Sequence, residues 1–278
     1  MFQRVTVVMG VLLLAAVAIL GALRAVHDRE VTRLWGELRQ PVGKNKFDPQ
    51  SLATLPEPAQ RYLRHAIAPG TPLAASVEVQ MEGRIGLEPG ADKLPFHAEQ
   101  ILATPNGLIW RASVGDGAVR ISGDDRYAAG AGGMRWYLWH VIPVMTADGP
   151  DVSRSAAGRV ALEAAAMLPS ALVPETGVLW QAVDERSARV RLRVGTEESS
   201  ILVVVAPGGQ LERVEMMRWD SEGMDGRPGY VLWVAEALDG EQSFGGYTLP
   251  KRVRVTTRAG TPQADSFFEA TITAAEFR

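Results

Sequence analysis

From Val77 onward the sequence changes polarity every second residue, and few folds tolerate that. Val77, Val79, Met81, Gly83 and Ile85 alternate with Glu78, Gln80, Glu82 and Arg84. Val190, Leu192 and Val194 alternate with Arg189, Arg191 and Arg193. Val253 and Val255 alternate with Arg252 and Arg254, and Phe268, Ala270, Ile272 and Ala274 with Glu269, Thr271 and Thr273. A period of two gives each strand one buried face and one wet face, as in antiparallel sheets. Further strands are expected at 96–103, 107–114, 118–122, 200–205, 211–218 and 230–237. Turn signals separate them, among them Pro105-Asn106-Gly107, Gly115-Asp116-Gly117, Gly123-Asp124-Asp125 and Pro207-Gly208-Gly209.

Two helices interrupt this pattern. In the stretch from Leu55 to Ile67, Ala59, Tyr62, Leu63, Ala66 and Ile67 form one apolar face, with Pro56 and Pro58 suited to a first turn. A second, Ala-rich helix runs from Ser153 to Leu168 and is stopped by Pro169. The predicted fold class is therefore α+β, mostly antiparallel β. About ten strands in a meandering order must curl or close, so a large curved sheet or half-barrel packed on one or two helices is expected.

The N-terminus has a different character. Between Arg4 and Arg24 lie nineteen uncharged residues, Val5 to Leu23. At about 1.5 Å per residue they reach about 28 Å, close to the hydrocarbon thickness of a bilayer. Arg24 falls where a signal peptidase site is expected, so an uncleaved transmembrane anchor is the favoured reading over a removed signal peptide. The expected organisation is an anchor at 1–26, a juxtamembrane helix and linker at 27–50, and one strand-rich domain at 51–278. In the juxtamembrane part, Val31, Leu34, Trp35 and Leu38 recur at helical spacing. Arg24, Arg29, Arg33 and Arg39 after the span favour a cytoplasmic domain by charge counting. A short N-terminal anchor commonly exports the domain attached to it, and an extracytoplasmic, single-pass arrangement is expected.

Catalytic signatures are absent. The chain has no G-x-S-x-G, H-E-x-x-H or phosphate-loop pattern and no cysteine. His27, His65, His97 and His140 share no metal-ligand spacing, so no metal, cofactor or catalytic residue is assigned. The net charge of −3 gives no nucleic-acid footprint. Gly130 to Gly133 reads as a turn, and Asp124-Asp125 as another, since Asp bonds its own backbone in turns. His97 and Glu99 share a strand face and read as a wet-face pair; with Asp125 they are the best residues for a hidden hydrolase or isomerase site. The most unusual stretch is Trp136-Tyr137-Leu138-Trp139-His140, followed by Val141 to Met145. It reads either as a doubly covered core element or as the rim of an apolar cavity or a lipid-touching surface. The candidate ligand-binding residues are Trp110, Met134, Trp136, Trp139, Tyr62 and Leu63.

The stretch L-P-E-P-A-Q-R-Y-L-R-H-A-I at 55–67 resembles the opening of an uncharacterised family of bacterial membrane-anchored proteins. Supporting matches are L-P-F-H-A-E-Q at 94–100, Y-A-A-G-A-G-G-M at 127–134 and L-P-S-A-L-V-P at 168–174. The sequence departs from that pattern at 164–170, which lacks an aromatic before the proline. The resemblance runs from about residue 55 to the C-terminus and implies no catalytic residues. The strand–helix–strand order is also similar to lipoprotein-carrier half-barrels of the bacterial envelope, which implies a cavity for acyl chains by fold analogy alone. Two roles are expected from these observations. One is binding of a lipid or other apolar ligand between sheet and helices; the other is a non-catalytic structural or partner-binding subunit of an envelope complex.

Overall fold

The computed structural model describes residues 2–278 apart from 42, 118 and 225. Three α-helices are present among them: α1 (Phe2–Leu38), α2 (Glu57–Ala66) and α3 (Pro150–Met167). The first meander comprises β1 (Val77–Ile85), β2 (Leu94–Ala103), β3 (Gly107–Val114), β4 (Ile121–Ala128), β5 (Ala131–Leu138) and β6 (Ile142–Asp148). After α3 come β7 (Leu179–Ala182), β8 (Ser187–Val194), β9 (Glu197–Val205), β10 (Leu211–Met224) and β11 (Arg227–Ala237). The hairpin β12 (Glu241–Phe244) and β13 (Tyr247–Pro250) stands apart, and β14 (Arg252–Thr257) and β15 (Asp265–Phe277) complete the chain.

Thirteen of these strands form one sheet, in the order β6-β5-β4-β3-β2-β1-β15-β14-β11-β10-β9-β8-β7. Its middle is the antiparallel pair of β1 and β15, running from Val77 opposite Phe277 to Ile85 opposite Phe268. The two edges are β6 and β7, and the chain between them is α3 with two short 3₁₀ turns. The crossover must therefore pass from one edge to the other over the concave face. A twisted sheet of this width curls, and α3 lies across the curl as a chord.

The expected alternation sets the two faces. On the concave side Val77, Val79, Leu102, Leu108, Trp110, Val190, Val203, Val214 and Ile272 pack with Val160, Ala161 and Ala164 of α3 and with Leu168 just after it. Small residues on α3 let the helix approach closely. Gly132 on β5 serves the same contact, because a Cβ there would lie 2.6 Å from Ser153 Cα and 2.7 Å from the Val152 carbonyl oxygen. Replacing Gly132 with valine is expected to lift the first turn of α3 and lower the free energy of unfolding by about 1–3 kcal/mol. A variant melting with the wild type would show that this turn is not seated on β5.

The strand count exceeds the expected ten because β6 begins with an unbroken apolar run and β7 and β12 are only four residues long, so none of them carries much alternation. Two expected turns are also corrected. Asp124 and Asp125 lie in the middle of β4, opposite Arg135 and Met134 of β5. The turn before β4 falls earlier, in 115–120, so the strand expected at 118–122 starts at Ile121; residue 118 itself lies outside the described residues. The glycine-rich stretch turns only at Ala129-Gly130, where both φ angles are positive, 51° and 80°. That is the backbone a two-residue hairpin needs. Gly132 and Gly133 already belong to β5.

The convex face is covered in part by α1. The helix runs unbroken from the apolar segment into the domain. Val31, Leu34, Trp35 and Leu38 form a second buried cluster with Ile101, Ala103, Ile109 and Ala128. Trp35 Nε1 donates to Glu78 at 3.1 Å, and Arg39 donates to the same carboxylate at 2.6 Å. Nearer the N-terminus, His27 is buried and its Nε2 donates to Asp124 at 2.5 Å. Arg24 lies 4.1 Å above the Tyr137 ring. The helix leaves the sheet there, past the Ser122–Tyr137 register pair, and residues 5–23 project beyond it. It is the one helix among the described residues long and apolar enough to cross a membrane, and its apolar window has no burial within the domain.

Candidate functional site

Strand alternation sends the neighbours Asp124 and Asp125 to opposite faces, and each meets a different helix. On the convex side Asp124 accepts from His27 and, at 2.7 Å, from Arg126. Burial alone raises a carboxyl pKa, but these two donors outweigh it and hold Asp124 below the usual carboxylate range. On the concave side Asp125 accepts from Trp136 Nε1 at 2.9 Å and from Arg159 of α3 at 3.1 Å. Here burial dominates and pushes the carboxyl up. Arg159 also donates to Glu163 at 2.6 Å, and Gln100 donates to the other Glu163 oxygen at 2.6 Å. The Arg159 charge is thus shared between two carboxylates.

This network forms the polar wall of a cavity of about 280 Å³ between α3 and the concave sheet. The rest of the lining is apolar: Met134, Leu162, Phe267, Phe268, Val255 and Ile272 are typical. Apolar walls with a few convergent polar groups are the usual form of a small-molecule site, and the volume lies near the lower end of the roughly 300–1,000 Å³ such sites occupy. The lining residues from β15 and β1, Phe267 to Ile272 and Met81 to Ile85, belong to the half of the sheet next to the apolar helix.

Arg218 of β10 also lines the cavity and differs from Arg159. It donates to Ser155 O at 2.9 Å and to Ser155 Oγ at 3.1 Å, and its guanidinium sits 4.2 Å above the Trp233 ring. Among the described residues no carboxylate pairs with it. Burial, together with the like charge of Arg159, brings its pKa down to about 10. Gly158 of α3 makes the space, since a Cβ there would come 3.2 Å from Arg218 Cγ. Two lining tryptophans, Trp110 and Trp233, have buried indole N–H groups with no hydrogen-bond partner among the described residues.

Of the residues expected at a ligand site, Trp110 and Met134 line this cavity. Trp136 stands just behind the wall, 5.6 Å from the Trp110 ring and bonded to Asp125. The other three lie elsewhere. Tyr62 and Leu63 are buried where α2 packs, with Tyr62 donating to Ala165 O at 2.8 Å, because the apolar face of α2 is consumed by the core. Trp139 is at the β5–β6 tip with a φ of 51°, and the residue is 57% exposed. Sequence reasoning missed Arg159 and Arg218; their one signal is an arginine at an inward position of an otherwise apolar helix or strand face.

His97 and Glu99 sit on the convex face, beside a wide polar groove along α1, where they pair with Glu82 and Arg111. Asp125 is on the other side of the sheet. The three do not converge. Among the described residues no cluster of three His, Cys, Asp or Glu is placed to hold a metal ion.

Fold and cavity together define a class: a strand-rich half-barrel, bridged by a helical chord over an apolar cavity and carrying a long apolar N-terminal helix. The chain belongs to a family of unknown function (DUF6544), whose sequence pattern matches residues 45–269. No curated protein matches the chain. Among solved structures it is similar to a LolA superfamily protein from Nitrosomonas europaea, at 11% identity and a TM-score of 0.43, over 80% of this chain and 92% of that one. It is also similar to a DUF1329 family protein from Desulfovibrio piger, at 11% identity and a TM-score of 0.37, over 73% of this chain and 86% of that one. Neither likeness bears on function at this distance.

Proposed function

We propose that the protein is a membrane-anchored, extracytoplasmic binding protein for a lipid or similar apolar molecule, held between the concave sheet and α3. The observation that carries this reading is the cavity itself, an apolar space of about 280 Å³ between α3 and the concave sheet. Interiors are normally packed to crystal-like density, so an apolar volume of this size with aromatic walls suits an apolar ligand. Its position supports the same reading. The cavity lies in the half of the sheet from which the apolar helix emerges, so a molecule leaving the bilayer would meet it first.

Full-length protein purified in a mild non-ionic detergent is expected to release a stoichiometric lipid in denaturing mass spectrometry. Repeated preparations without any lipid would sink the proposal. A second reading, a partner-binding subunit of an envelope complex, is favoured by one feature. Edge strand β6 exposes Ile142, Val144 and Met145 at 42%, 51% and 51%, and exposed apolar edges invite pairing. A photo-crosslinker at Val144 that captures protein, in preparations free of lipid, would favour it over the first.

A further inference from the structure

The polar end of the cavity is unbalanced in a particular way. Its acceptors are already used. Both oxygens of Asp125 and both of Glu163 receive donors from Trp136, Arg159 and Gln100. Its donors are in excess. The guanidinium of Arg218 bonds only Ser155, a neutral residue, among the described residues. The N–H of Trp110, a residue 2% exposed, has no partner among the described residues, and neither has that of Trp233. Asp220, a nearby carboxylate on the same strand, is engaged by Arg258 at 3.0 Å. A guanidinium on an apolar space whose carboxylates are already engaged is costly when left so, and a ligand that brings oxygens removes the cost.

Resting on the binding function proposed above, we infer that the ligand is an anionic amphiphile: a hydrocarbon chain lies along the Phe268–Ile272 wall, and a carboxylate or phosphate is held by Arg218 over the Trp233 ring. Arg159 stands between Asp125 and Glu163 and offsets one of their two charges, and burial, by pushing the Asp125 carboxyl up, favours its neutral form. Burial and the like charge of Arg159 lower the Arg218 pKa more than the carboxylates of Glu163, Asp125 and Asp220 raise it.

Three sixteen-carbon probes test this: palmitate, hexadecyl phosphate and hexadecanol, each titrated into delipidated full-length protein with tryptophan fluorescence as readout. The anions are expected to bind about tenfold or more tightly than the alcohol, the scale of one charge-assisted hydrogen bond. Palmitate favoured over the phosphate would mark a free-acid ligand, and the reverse a phospholipid type. R218M is expected to bind all three as weakly as the wild type binds hexadecanol, while R218K retains most of the preference. Cooperative melting of both variants confirms the fold. Equal binding of the three probes by the wild type, or a preference surviving in R218M, overturns the inference and leaves the cavity function standing. Binding of none of the three overturns both.

Discussion

Replacing Asp124 with alanine is expected to cost about 3–5 kcal/mol and to detach the membrane-proximal turns of α1 from the sheet. The side chains of His27 and Asp124 are each only 4% exposed. Truncation leaves a buried imidazole N–H with no acceptor and strips Arg126 of its carboxylate. Breaking a buried pair from one side is among the costlier single changes a protein can suffer. Asp124→Asn keeps an acceptor for His27 and should lose less, about 1–2 kcal/mol. Hydrogen exchange over residues 22–30 and thermal melting would read both effects. The apolar contacts of Val31, Leu34, Trp35 and Leu38 should survive, so protection beyond residue 31 should change little. An Asp124→Ala protein that melts and exchanges like the wild type would refute the clamp.

The same contact has a pH signature. The folded-state pKa of Asp124 lies below its unfolded value, which is about 3.9 for a free Asp. Its stabilisation is therefore complete above that value and is lost as the pH falls through the lower, folded-state pKa. Wild-type α1 should stay docked down to about pH 4 and loosen only in stronger acid. The alanine variant should lack this acid step.

The second large effect concerns the cavity. Ala235 of β11 lines it and is opposite Val255 of β14. Tryptophan at 235 would place an indole in the open volume, where the ligand chain is proposed to lie. Overpacking a filled core costs about 1–3 kcal/mol, and here the space already exists, so the penalty should fall at or below that range. Lipid recovered with the variant is expected to drop about tenfold or more, while its melting stays cooperative. A folded Ala235→Trp protein carrying the wild-type amount of lipid would place the ligand elsewhere.

Much of the architecture is legible in the sequence, and the reasons for the gaps are physical. Period-two runs at 77–85, 189–194 and 252–255 locate strands because one face is buried and the other wet. The place where α1 docks is also written there, more faintly. Alternation holds through Phe96-His97-Ala98-Glu99 and then gives way to the unbroken apolar run Ile101-Leu102-Ala103, and again at Leu108-Ile109-Trp110. A strand that turns apolar on both faces is covered on both. What cannot be read is which segment does the covering.

Asp124-Asp125 shows the limit most clearly. Two adjacent carboxylates disfavour a strand and favour a turn on local grounds. They are tolerated in β4 because His27 and Arg159, 97 and 34 residues away, reach them from opposite sides. No local pattern encodes partners at that separation. Arg218 is hidden for a similar reason. It falls in phase with the buried Val214 and Met216, but its partners in space, Ser155 of α3 and Trp233 of β11, lie far from it along the chain or on another strand.

The unbroken course of α1 has a mechanical consequence. A domain tied to a bilayer by a flexible linker swings freely, and its face towards the lipid is a matter of chance. Here the segment proposed to cross the membrane is the same rod that is bolted to the sheet at His27, Trp35 and Leu38. The half-barrel rides on a shaft. Its height above the lipid and its compass bearing are set by the tilt and rotation of one helix, so a change in bilayer thickness that tips the helix must swing the cavity with it.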